Sequence, residues 1–134
     1  MSRISARFKQ PNFSSLLKKY ESKAKVIVGR AGNMVRNTAV TNIQIGDSRS
    51  GAIRKDGTRS SGAGEYPKTD TGYLANHIAV EIKENGFKAE VISTADYSAA
   101  LEFGTSKMAA RPFMQPSLEE NRPKIRRLVR DIKV

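Results

Sequence analysis

Residues 97–121 read YSAALEFGTSKMAARPFMQPSLEEN, and this run sets the architecture of the chain. Asp96 just before it suits an N-terminal cap, and Tyr97, Ala100, Leu101 and Phe103 recur at roughly helical spacing. Gly104 stands where a left-handed residue would stop that helix. Residues 105–111 then cross as a loop. Pro112 and Pro116 bracket Phe113 and Met114, and a proline disfavours helix in the residue before it, so 111–115 are expected to be extended. Pro116 suits the first turn of a second helix. There Leu118, Ile125, Leu128, Val129 and Ile132 form one stripe, Glu119 and Glu120 occupy the start, and Arg126, Arg127, Arg130 and Lys133 crowd the end, as a helix dipole favours.

Working outward, Phe13, Leu17, Tyr20, Ala24, Ile27, Ala31, Met34, Thr38, Thr41 and Ile45 follow a 4-3 spacing with Val28 and Val35 beside them, which predicts a long helix over 13–45. Gly29 and Gly32 each cost about 1 kcal/mol relative to alanine inside a helix, so a kink or a close contact is expected there. After Val35 threonines replace large residues, and the distal turns are expected to need a neighbouring subunit to cover them. Residues 46–68 hold five of the ten glycines together with Arg49, Arg54, Lys55 and Arg59, which predicts a functional, flexible loop. Its Gly62-Ala63-Gly64 lacks the lysine and hydroxyl spacing of a phosphate loop. A short helix is expected over 69–78, capped by Thr69 or Asp70, with Leu74 and Ile78 inward.

Ile78, Val80 and Ile82 alternate with polar residues, Asn85-Gly86 supplies a turn, and Phe87, Ala89 and Val91 alternate after it: a hairpin. A two-residue loop would face Glu81 with Glu90 and Lys83 with Lys88. A four-residue turn over 83–86 would instead face Glu81 with Lys88, and avoids like charges. The fold class is α+β: a long N-terminal helix and a C-terminal helix packed on a small antiparallel sheet, one domain over 1–134. A third strand is expected from the N-terminal residues 1–10 or from 107–113.

Two motifs carry a family resemblance. Glu102-Phe103-Gly104-Thr105 is followed by a small-residue loop, Arg111-Pro112-Phe113 and a proline-started helix. About thirty residues upstream stands Gly64-Glu65-Tyr66-Pro67-Lys68-Thr69-Asp70-Thr71-Gly72-Tyr73-Leu74. In this order, behind a long helix, they resemble the small neck or tail-completion proteins of long-tailed phages, over nearly the whole chain. The resemblance implies a structural virion protein at the head–tail junction, without cofactor or catalysis, assembled in the host cytoplasm. It further implies a homo-oligomeric ring, six copies with twelve as the alternative, that meets head–tail connector and tail proteins. Glu102, Phe103, Gly104, Met108, Arg111, Phe113 and Met114, with the distal end of the long helix, are the expected interface. Arg49, Arg54, Lys55 and Arg59 are the candidate contacts for DNA in the channel or for an acidic partner.

Composition sets independent bounds. The 134 residues contain no cysteine, which leaves no thiolate metal ligand, and no apolar run near the roughly 20 residues of a membrane span. A soluble cytoplasmic product with no membrane partner is the expectation. Of the net +11, residues 1–68 carry 14 Lys and Arg against 4 Asp and Glu, and residues 69–134 carry 10 against 9. Such asymmetry suits phosphates or an acidic protein, or only a solvated face. His77, the one histidine, has no second histidine to share a metal. Asp70 and Glu102 could pair for acid–base work, but Asp70 reads as a cap and Glu102 as a partner for Lys107 or Arg111. No nucleophile motif accompanies the serines. The chain is read as no enzyme, and a small basic nucleic-acid-binding protein is the alternative to the structural joint.

Overall fold

The computed structural model describes residues 13–44, 51, 53, 55, 61–67 and 72–133. The expected arm 1–10, the caps Thr69 and Asp70, and Arg49, Arg54 and Arg59 lie outside them. The elements run α1 (Phe13–Gln44), α2 (Tyr73–Asn76), β1 (Ile78–Lys83), β2 (Lys88–Ser93), α3 (Ser98–Phe103) and α4 (Met114–Arg130). The α+β class and the two long helices are as the sequence predicts. Among the described residues the sheet has two strands. Residues 107–113 add no third strand, only the Thr105–Met108 bridge.

α1 is the spine, and it is unbroken at both glycines. Its buried seam is Gly32, Val35, Ala39 and Ile43, one residue later in phase than the expected Ala31, Met34 and Thr38. The distal turns therefore do reach the core of their own chain, through Ala39 and Ile43, while Thr41 of the expected stripe is exposed. The physical reason is small size. A Cβ on Gly32 would lie 2.8 Å from Val80 Cγ1 and 3.0 Å from Ala89 Cβ, so the glycine lets the hairpin lie directly on the helix. Lys25 Nζ sits 5.2 Å from the Phe87 ring centre at the hairpin tip, while Arg36 Nε donates to the Ile78 carbonyl at its open end, 3.0 Å. Eleven helical residues rise about 16 Å, which matches a strand of β1's length.

The hairpin takes the register with like charges facing: Glu81 opposite Glu90 and Lys83 opposite Lys88. This overturns the expected pairing of Glu81 with Lys88. Two bonds to Glu90 offset the repulsion: Lys83 Nζ lies 2.7 Å from its Oε2 diagonally across the strands, and Lys88 Nζ, two residues away on the same strand, lies 3.2 Å from its Oε1. Glu84, Asn85 and Gly86 take positive φ, so Asn85-Gly86 supplies the turn as expected, while the residues between the last pair are 84–87, one later than the expected 83–86.

α2 is shorter than predicted because Gly72, at φ 80°, begins it and Ile78 already belongs to β1. Leu74 and Ile78 do point inward, joining Ala39, Ile43, Ala75, Ala95 and Phe113 in the core. α4 turns small polar residues to α1. Buried Asn121 donates to Thr38 Oγ1 at 2.8 Å and to the Ser117 carbonyl at 2.8 Å, and buried Ser117 donates to the Phe113 carbonyl. Thr38, expected to weaken the packing, is thus an acceptor in the helix–helix seam.

The two glycines separate propensity from packing. Gly29→Ala meets open space and is expected to raise stability by about 1 kcal/mol. Gly32→Ala gains the same propensity but overpacks Val80 and Ala89, an effect of about 1–3 kcal/mol, and is expected to lower stability on balance; chemical denaturation of both variants checks the opposite signs. Hydrogen bonds from Lys83 and then Lys88 hold the Glu90 carboxyl below its ordinary value. Its contribution is present above the unfolded pKa of about 4.3 and is lost as pH falls through the lower folded value. Glu90→Gln is accordingly expected to lower the melting temperature at neutral pH, with the difference closing under strong acid.

Candidate docking site

α3 and the start of α4 are held together by one carboxylate. Glu102 Oε2 accepts from the backbone N–H of Phe113 at 2.8 Å and of Met114 at 3.0 Å, and Oε1 accepts from Gln115 N–H at 2.9 Å. These are donors that a helix start leaves without internal partners, and a negative charge there also suits the dipole. The expected pairing of Glu102 with Lys107 or Arg111 is replaced by this cap. Because α4 begins at Met114, Glu119 and Glu120 fall beyond its first turn, Met114 and Gln115 are helical instead of extended, and the acidic group at its N-terminus comes from α3. Asp96 makes no cap either: Tyr97 precedes α3 without a side-chain bond, and Ser93 Oγ meets Ser98 Oγ at 2.5 Å.

The crossing loop is pinned on both sides. Arg111 N–H donates to the Leu101 carbonyl at 2.6 Å, and Gly64 N–H to the Ala110 carbonyl at 2.9 Å. Gly104, at φ 75°, permits the turn, since a Cβ there would stand 2.9 Å from the Ala110 nitrogen. Ser61, Gly62 and Pro67 are buried, and Gly62 N–H donates to Glu65 Oε2 at 2.7 Å. Tyr66 Oη lies 3.4 Å from Ser117 Oγ, and burial, with Glu120 and Glu102 nearby, pushes its phenol up.

The expected interface residues divide sharply. Phe113 is 1% exposed and belongs to the core, where it anchors the loop without presenting a surface. Full burial of such a side chain contributes on the order of 3 kcal/mol. Phe103 is the opposite case at 82% exposed. Met108 and Arg111 are half-buried, and Arg111 Nη1 reaches Ser61 Oγ at 3.4 Å. Met114 packs against the core and also lines a groove. Lys55 is exposed.

That groove, about 860 Å³, lies between α1, β2, α3 and α4. Ala31, Gly32 and Val35 lie on its α1 side, Val91 on β2, and Phe103 and Leu118 on the flanking helices. Its lining is apolar apart from Ser93, Ser98, Gln115 and Glu102, a composition that fits docking. A second feature escaped a reading by sequence halves. The end of α4 and the residues after it bring Arg127, Asp131 and Lys133 beside Lys23 and Arg30 of α1, around a smaller apolar hollow that includes Val26, Ile27 and Leu128. The antiparallel run of α4 along α1 gathers these cations, and only the fold reveals it. Among the described residues no cluster of His, Cys, Asp and Glu could hold a metal, and no helix is long and apolar enough to cross a membrane.

Removing the latch should be measurable. Glu102→Ala is expected to cost about 2 kcal/mol, as loss of a charged cap does, and Glu102→Gln about half of that, because the amide keeps one acceptor oxygen. Denaturant titration of the two variants checks the order.

Comparison with known proteins bears on these features directly. Neither a curated protein nor a solved structure matches the chain. A family model does, over residues 10–104: HK97-gp10-like, described as "Bacteriophage HK97-gp10, putative tail-component". The match takes in α1, the Pro67–Leu74 region, the hairpin and Glu102-Phe103-Gly104, and ends before α4. It covers more than two thirds of the sequence, so the chain belongs to the HK97-gp10-like family of phage tail components.

Proposed function

We propose that this tail component acts at the phage neck, where it joins or completes the head–tail connection during assembly, without catalysis. The observation that carries the reading is Phe103, almost fully exposed beside a large apolar groove in a chain of this family. Exposed apolar surface of that kind marks interaction sites, and a closed ring would satisfy it on every copy. Six copies are proposed, twelve being the alternative, with head–tail connector and tail proteins as neighbours. The ring forms in the host cytoplasm and ends in the virion. Glu102, Gly104 and Phe113 shape the contact surface, whereas Phe103, Met108, Arg111 and Met114 border it. Arg49, Arg54, Lys55 and Arg59 are proposed to face channel DNA or an acidic rim.

One observation favours the second reading, a small basic nucleic-acid-binding protein: the gathering of Lys23, Arg30, Arg127 and Lys133 at one end of the molecule. Phosphate contacts made there would weaken steeply with salt. Deleting the gene from the phage and inspecting particles separates the two. Heads and tails that accumulate unjoined, and join when the chain is supplied in trans, support the neck reading. Normal joining, together with a gel shift of duplex DNA at physiological salt, would transfer the case to nucleic-acid binding.

A further inference from the structure

The smaller hollow, between α1 and the end of α4, combines an apolar floor with an edge of one charge sign. Ile27 of α1 and Leu128 and Ile132 on the other side are half-buried, and Val26 stands 69% exposed beside them. Lys23, Arg30, Arg127 and Lys133 line the edge, all exposed, and none of these four side chains has a hydrogen-bond or ion-pair partner among the described residues. Asp131 also lines the hollow, but its Oδ1 lies 3.2 Å from Arg130 Nε, so that charge is already matched. The volume is about 410 Å³, within the roughly 300–1,000 Å³ of binding clefts.

Neighbouring positions keep the sign. Lys19 falls one turn before Lys23 on the same face of α1, and Lys124 one turn before Arg127 on α4. Glu21, the acid of α1, points about 160° away from Lys23 at 100° per residue, and Glu119 and Glu120 stand about two turns back from Arg127 along α4. The fold therefore gathers cations from two helices around an apolar floor and supplies no carboxylate of its own to answer them.

We propose that this hollow docks an acidic segment of another protein that carries large apolar side chains, its carboxylates meeting Lys23, Arg30, Arg127 and Lys133 and its apolar groups covering Val26 and Leu128. Charge complementarity sets the sign of the partner. The floor sets its class, because a nucleic-acid backbone would answer the cations and leave Val26, Ile27 and Leu128 against hydrated phosphates, whereas an amphipathic acidic segment covers both. A second copy of a chain with net charge +11 lacks the required sign. The inference goes beyond the neck reading, which rests on Phe103 and the larger groove, so each can fail without the other.

Fluorescence anisotropy tests this with the full chain at physiological salt and a labelled short peptide in which two leucines are flanked on both sides by glutamates and aspartates. The comparisons are the same peptide with serines in place of leucines, a duplex DNA, and the variants Arg30→Glu, Lys133→Glu and, on another face of α1, Lys18→Glu. All three positions are exposed, and unchanged melting temperatures confirm that each variant folds. The expected result is saturable binding of the leucine peptide that weakens about tenfold with the serine peptide and about tenfold with Arg30→Glu or Lys133→Glu, and is unchanged by Lys18→Glu. Equal binding of the two peptides, an equal loss with Lys18→Glu, or no binding would overturn the proposal. Duplex DNA held more tightly than the peptide and released by Arg30→Glu would overturn it in favour of phosphates. Self-association of the unmodified chain that Arg30→Glu abolishes would give the hollow to a second copy and overturn it as well. The neck reading stands or falls on the joining of heads and tails, which none of these outcomes measures.

Discussion

A buried helix start is tolerable only where its free N–H groups find acceptors, and in this chain Glu102 supplies them for α4. The consequence reaches well beyond the cap. Phe113 can sink into the core because its own N–H is satisfied by the carboxylate, and the core it completes also holds Ala39 and Ile43 of α1 with Leu74, Ala75 and Ile78. The same bonds tie the end of α3 to the beginning of α4 across the loop, and so fix the width of the groove between them. Phe103, next to the latch, is turned outward by that arrangement. Stability and exposure at the site are thus two results of one interaction.

Sequence periodicity located the elements well because each long element buries one face. The boundaries of α1 and the strands of the hairpin follow from it within a residue or so. What it did not resolve was phase. In α1 the large residues Tyr20, Ile27 and Met34 dominate a hydropathy pattern, yet the seam that touches the sheet runs through Gly32 and Ala39, where absence of side chain is the useful property. The hairpin register failed for a related reason: judging directly opposed pairs ignores the bonds that Glu90 makes diagonally to Lys83 and along its own strand to Lys88.

At the site, Glu102-Phe103-Gly104 stood out as a motif, but the role of its acid did not. Lys107 and Arg111 are near in sequence and carry the opposite charge, which makes them natural partners on paper. Backbone donors leave no trace in a sequence except through the helix that exposes them, so a start at Met114 instead of Pro116 was needed to see where the carboxylate goes. The cations of α1 and α4 are similarly separated by about a hundred residues and meet only because the helices pack antiparallel.

α4 divides its faces in an unusual way. A helix that served only its own domain would turn Leu118 and Ile125 inward. Here Ser117 and Asn121 occupy the inner face, satisfied by the Phe113 carbonyl and the Thr38 hydroxyl, while Leu118 and Ile125 line the open groove. Hydrogen-bonded small residues let the helix lie close to α1 without spending its large apolar side chains there. The side chains so spared face the groove, where burial by another molecule would still yield about 25 cal/mol per Å² of apolar surface covered. The polar seam and the apolar groove are therefore complementary halves of one helix, the first holding it to α1 and the second left open.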